Sequence, residues 1–222
     1  MNRKDSKNIH EILLEAIQKS EVVDNLKDFA EIGIDELLDD GILKDIPVIS
    51  PLYSIIKLNS TVRDITFIKK IVSFYLEIGY VDDKFKEKFM VKYKCDPQYR
   101  KKVGEYIINA LDRFDQINKA EAFGKIFAAY IKNEIKYNEL TQYSYALDKI
   151  DFFNIHILKN FYLSQMSPDQ TSFLQNFVFA GLVSIDFGNH LMNHSWFSEF
   201  TPQTGFSKNE FGEKFLKILE LI

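Results

Sequence analysis

A single cysteine, Cys95, stands in the 222 residues, which excludes an internal disulfide and a cysteine-rich zinc site and fits a reducing cytoplasm. Long apolar runs are missing too. No window approaches the roughly 20 consecutive apolar residues a helix needs to cross a bilayer, and the start, MNRKDSKN, has no apolar stretch behind its basic residues, so no secretory signal is expected. Between Asn160 and Ser207 there is not one Lys or Arg. Because phosphate neutralisation supplies most non-specific DNA affinity, that span lacks the main driving force for DNA binding. No GxSxG, phosphate-cradling glycine loop or Cys/His arrangement around Cys95 occurs, so no catalytic residues, metal or cofactor are assigned.

What is present is a core-forming composition, 46% hydrophobic and 14% aromatic. The formal net charge of -4 is unevenly spread: Lys plus Arg against Asp plus Glu run 6 to 12 over residues 1–45, 18 to 13 over 46–150, and 4 to 7 over 151–222. Acidic ends and a basic middle point to complementary contact between parts of the chain, between copies of it, or with a partner.

Apolar residues recur at helical intervals through most of the chain. Ile9, Leu13, Leu14 and Ile17 share one face, and Val22, Leu26 and Phe29 continue it. Thr61 and Asp64 have capping spacing ahead of Ile65, Ile68, Ile71, Val72 and Tyr75, in a buried helix expected to end near Gly79. Phe85, Phe89 and Tyr93 form a stripe. Asp96 and Pro97 then read as the cap and first position of a long helix, and Asp115 as the cap of the next. Gly104 and Ala110 on one, with Gly124 and Ala128 on the other, predict that these two helices pack closely as an antiparallel pair. A further helix is expected near Asn138 to Ile150.

From Asp151 the composition changes: DFFNIHILKNFY and SPDQTSFLQNFVFAG read as helices, LVSIDF and SWFSEF as paired strands, and SKNEFGEKFLKILELI as a last helix with Ser207 and Glu210 as a capping box. The order helix, helix, AGLVSID, hairpin, helix resembles a winged helix-turn-helix over the last third of the chain, in a degenerate form without room for three helices before the hairpin. Upstream, KDIP, VRDITFIKKI and KVGEYIINALDRFDQINKAEAFGKIFAAYI look like uncharacterised bacterial proteins that join a helical body to such a module. The expected architecture is therefore mainly α, a helical bundle body over residues 1–150 followed by a small winged-helix-like α+β module over residues 151–222.

Two stretches carry functional expectations. Residues 84–102, KFKEKFMVKYKCDPQYRKK, hold eight basic, two acidic and four aromatic residues. Lys84, Lys88, Lys92, Arg100, Lys101 and Lys102 are the anion-binding candidates, the last three beside the N-H groups of a helix start. Aromatic interleaving allows base stacking on a single strand; the plainer reading turns Phe85, Phe89 and Tyr93 to the core and leaves the lysines as a solvated face. Residues 45–58, DIPVISPLYSIIKL, are uncharged from Ile46 to Ile56 and broken by Pro47 and Pro51, too short to span a bilayer. They read as a core-covering connector or as an interfacial anchor touching membrane through Ile49, Leu52, Tyr53 and Ile56, with Lys57, Arg63, Lys69 and Lys70 meeting anionic lipid.

His190 and His194 have the spacing of a helical zinc pair but no third ligand, and Asp35 to Asp40, like Asp112 and Asp115, fit capping and solvation better than acid-base chemistry. The expectation is a non-catalytic cytoplasmic interaction or regulatory protein, binding a protein partner or a second copy of itself. A membrane-surface effector of defence or toxin type, or a nucleic-acid and anion binder, stands as its alternative.

Overall fold

The computed structural model describes Ile17, residues 62–187 and residues 204–222, and over these the chain is mainly helical. Eight α-helices and two short strands occur among the described residues: α1 (Val62–Gly79), α2 (Asp83–Cys95), α3 (Pro97–Arg113), α4 (Ile117–Ile131), α5 (Tyr137–Lys149), α6 (Ile155–Tyr162), α7 (Leu174–Phe179), β1 (Ser184–Phe187), β2 (Thr204–Ser207) and α8 (Glu210–Ile218). The chain divides into two compact units, Met1–Ser144 and Tyr145–Ile222. Thr61, the connector at residues 45–58 and the strand proposed at SWFSEF lie outside the described residues.

In the first unit α1 and α4 are buried nearly all round, as a helix at the centre of a core must be. Ile68, Ile71, Phe74 and Tyr75 of α1 and Phe123, Ile126 and Phe127 of α4 are all 2% exposed or less. Phe74 stacks on Phe123 with ring centroids 5.3 Å apart and meets Phe127 at 5.5 Å. Ile65, expected inside, is 40% exposed.

The expected α3–α4 pairing through Gly104 and Gly124 is corrected. Gly124 lies against α1, where a Cβ would stand 2.7 Å from both the Glu77 Cβ and the Phe74 carbonyl oxygen. The missing side chain lets α1, not α3, approach α4.

Capping explains why α2 and α3 join without a linker. Asp96 ends α2, its N-H bonding the Lys92 carbonyl at 3.2 Å, and its carboxylate accepts from the Gln98 and Tyr99 N-H groups at 2.9 Å each to start α3 at Pro97. Asp96→Ala is expected to cost about 1 kcal/mol, the usual value of such a cap, read as a lower denaturation midpoint with an unchanged denaturant slope. Asp115 does not cap α4, whose N-cap position is Gln116 with no side-chain cap bond. It pairs instead with Lys119 at 2.8 Å, and that hydrogen bond holds the Asp115 carboxyl below its ordinary pKa.

Lysines are not all a solvated face. Lys70, Lys86 and Lys119 are buried. Lys70 donates to the Leu111 carbonyl at 3.0 Å, near the end of α3, and Lys86 to the Gly79 carbonyl at 3.3 Å, at the end of α1. Each ammonium thus sits where helix-terminal carbonyls lack amide partners and the helix dipole is negative.

The second unit is organised around one hydroxyl. Tyr162, at the end of α6, donates to the Leu182 carbonyl at 2.7 Å and accepts from the Asn209 N-H at 3.1 Å. Helix α7 stops in a Schellman motif: Gly181, at φ +77°, bonds the Val178 carbonyl at 2.9 Å and Leu182 bonds the Phe177 carbonyl at 2.8 Å. Strand β1 then pairs antiparallel with β2, Ser184 opposite Ser207 and Phe187 opposite Thr204, so the partner strand is TGFS. Ser207 is therefore a strand residue and not the cap of α8. Asn209 takes that role, its side-chain oxygen accepting from the Gly212 N-H at 2.7 Å, because it stands three residues before the amide that needs a partner.

Candidate functional site

The basic stretch at residues 84–102 folds as α2, the Asp96 turn and the first turns of α3, and its cations separate by helical phase. Lys84, Lys88 and Lys92, four apart, form an exposed stripe on α2 with Val91, which is 63% exposed. Lys86 falls out of the set because it is buried at the end of α1. Phe89 and Tyr93 are also buried and Phe85 is half-buried, so the aromatic stripe faces inward. On α3, Lys101 and Lys102 are exposed and Arg100 is half-buried. The N-H groups expected beside them are taken: Gln98 and Tyr99 bond the Asp96 carboxylate and Arg100 bonds the Asp96 carbonyl at 2.9 Å. An anion here must be held by side chains.

Two of these lysines rest on tyrosine rings. The Lys92 ammonium lies 4.5 Å from the Tyr99 ring centroid and that of Lys102 lies 4.2 Å from the Tyr137 centroid, within cation-π range. The two sites are connected, since the Tyr99 and Tyr130 hydroxyls hydrogen-bond and the Tyr130 and Tyr137 rings are 6.2 Å apart. Burial, followed by the bond to Tyr130, pushes the Tyr99 hydroxyl well above its ordinary pKa, and burial raises Tyr130 and Tyr137 as well. These phenols stay protonated at neutral pH and leave the lysine charge uncancelled.

Beside Lys102 the surface opens into a groove of about 380 Å³. Helix α3 supplies most of the lining through Gln98, Lys101, Lys102, Glu105, Tyr106 and Asn109, which recur at helical spacing, and Tyr137 of α5 supplies the rest. Tyr106 is fixed edge-on to Tyr137 at 5.9 Å and reaches the Thr141 carbonyl at 3.4 Å. Lys101 and Glu105 face each other at 3.9 Å. Reading residues 84–102 as a block missed Gln98 among its cations, and it missed Asn109 and Tyr137 altogether. The polar stripe was open to view, three or four apart and alternating with buried Val103, Ile107 and Leu111; Tyr137 had no local signal, being brought in by the turn from α4 to α5.

The other sequence candidates fall apart differently. Ile49, Leu52, Tyr53, Ile56, the Asp35 to Asp40 run, His190 and His194 lie outside the described residues. Lys70, assigned to meet lipid, is buried on the Leu111 carbonyl. Asp112 is exposed and Asp115 is committed to Lys119. Among the described residues no three His, Cys, Asp or Glu side chains group as metal ligands, and no helix is long and apolar enough to cross a membrane. No protein-family model, curated protein or solved structure matches the chain.

Proposed function

We propose that the protein is a non-catalytic interaction protein of the cytoplasm whose helical body docks an acidic partner protein on the α2–α3 surface. The observation that carries this reading is the pair of lysines seated on tyrosines, Lys92 on Tyr99 and Lys102 on Tyr137, joined through the Tyr99–Tyr130 hydroxyl pair. Held against rings, these side chains lose less conformational freedom on binding than free surface lysines do. Lys88 adds charge beside them, which favours encounter with an acidic surface, whereas Lys84 is shared with Asp82 at 3.4 Å and Lys101 with Glu105 at 3.9 Å.

A protein partner is favoured over single-stranded nucleic acid because base stacking needs open ring faces. Phe89 and Tyr93 are buried, and lysines lie over Tyr99 and Tyr137. The second unit is read as a degenerate winged-helix-like module, supported by the order of α6, α7, β1, β2 and α8. With no Lys or Arg from Asn160 to Ser207, it too is assigned to protein contact and not to DNA.

The test compares long polyglutamate with a single-stranded oligonucleotide of equal charge. Polyglutamate is expected to bind at low salt and weaken as salt rises, and Lys84→Glu, Lys88→Glu and Lys92→Glu together are expected to reduce its affinity at least about tenfold. Tighter binding of the oligonucleotide, or polyglutamate binding indifferent to the three reversals, would reject the reading.

A further inference from the structure

Both lysine–tyrosine contacts on the α2–α3 surface cross from one helix to another. Lys92 of α2 lies over Tyr99 of α3, and Lys102 of α3 lies over Tyr137 at the start of α5. The attraction falls away when the ammonium leaves the ring face. Whatever fixes the two rings therefore decides where the two charges are presented.

Tyr130, in the last turn of α4, touches both. Its hydroxyl is hydrogen-bonded to that of Tyr99, and its ring meets the Tyr137 ring at 66° with centroids 6.2 Å apart. It is only 7% exposed, and its own ring is held by Phe89 at 6.1 Å and Phe127 at 5.7 Å. The chain end of α4 fixes the approach of Tyr137. Asn133, left-handed at φ 61°, bonds the Tyr130 carbonyl at 3.1 Å and Glu134 bonds the Ala129 carbonyl at 2.9 Å, a Schellman turn that leads straight into α5. Each ring has one further neighbour, Phe89 for Tyr99 at 6.4 Å and Tyr106 for Tyr137 at 5.9 Å. Ring contacts alone leave a ring free to slide in its plane, whereas a hydrogen bond at the hydroxyl pins the far end of Tyr99.

We infer that Tyr130 is a positioning residue for the acidic-partner surface: it holds Tyr99 through its hydroxyl and Tyr137 through its ring, and so sets where Lys92 and Lys102 present their charges. The inference rests on the acidic-partner reading and adds to it a buried residue that makes the two seated lysines one unit. The two holds use different atoms and can be removed separately. Tyr130→Phe keeps the ring and takes away only the bond to Tyr99; Tyr130→Leu takes away both.

The test is NMR of the full chain, with polyglutamate binding measured on the same samples. A lysine seated on a ring face has its side-chain methylene signals moved upfield by the ring current, so each seat has its own signature. In the wild type the Lys92 and Lys102 methylenes are expected upfield of ordinary lysine positions. Tyr130→Phe is expected to return the Lys92 signals toward the ordinary position, to leave those of Lys102 in place, and to weaken polyglutamate about two- to tenfold, the ordering cost of one long side chain. Tyr130→Leu should move both sets and weaken binding further. A merely loosened fold does not give this split, because it disturbs both lysines in either variant. Lys92 signals unmoved in Tyr130→Phe, both lysines moving together in that variant, or unchanged polyglutamate affinity overturns the role of Tyr130. If the wild type binds no polyglutamate, the acidic-partner reading falls and this inference with it; if it binds and the split is missing, only the role of Tyr130 falls.

Discussion

Gly212→Ala is expected to unfold the second unit. A Cβ at this position would overlap the Leu182 carbonyl oxygen and the Tyr162 hydroxyl, and would stand 2.9 Å from the Leu182 carbonyl carbon. Neither obstacle can swing aside, because the Leu182 carbonyl is backbone and the Tyr162 hydroxyl is tied to Leu182 and Asn209. Moving α8 away instead breaks the Asn209 bonds to Gly181 and Ser184 that hold its start. Overpacking a well-packed site usually costs about 1–3 kcal/mol, and here the lost hydrogen bonds add about 1 kcal/mol each. That is a large part of the marginal stability of a small unit. Hydrogen exchange should show protection lost across α6 and α8 while α1 and α4 keep theirs; native protection in α8 would show that α8 moves away from Leu182 at little cost.

In the first unit the corresponding substitution is Gly124→Leu. At 2.7 Å from the Phe74 carbonyl oxygen even a methyl group is too close, and a leucine forces α1 and α4 apart along the interface that stacks Phe74 on Phe123. The expected loss is about 3 kcal/mol, the upper end of the overpacking range, because one of the two obstructing atoms is backbone. Exchange should rise in α1 and α4 and remain native in α8, the reverse of the Gly212 result. A variant with unchanged thermal unfolding would place Gly124 away from any helix crossing. Pairing the two substitutions separates the units without cutting the chain.

Helix positions were legible from local signals. Asp96–Pro97 marked the start of α3, Gly79 the end of α1 and Gly181 the end of α7, because each depends on the backbone needs of its own neighbours. Partner choice was not legible. Gly124 announces a close approach but not which helix makes it, and small residues on α3 offered a plausible wrong partner. Capping misled where two residues competed: Asp115 was drawn to Lys119, and Ser207 to the β1 ladder. Charge was the least legible property. Lys70, Lys86 and Lys119 look like surface residues in the sequence and become buried donors only because helix ends and a carboxylate are brought to them by folding. The groove shared this difficulty, since its α3 wall follows a readable period whereas Tyr137 arrives from another helix.

Asp96 serves as the last residue for one helix and the opening residue for the next, and this has a consequence for how the chain tolerates change in length. A connector of several residues absorbs an insertion by bulging. Here there is no slack between Cys95 and Pro97. One residue added within the first turn of α3, after the cap, would turn everything downstream by about 100° relative to Asp96. Lys92 on α2 would lose the Tyr99 ring and Lys70 on α1 would lose the Leu111 carbonyl, so binding surface and packing would fail at the same step. The length of this joint is therefore under the same constraint as the identity of the lysines it aims.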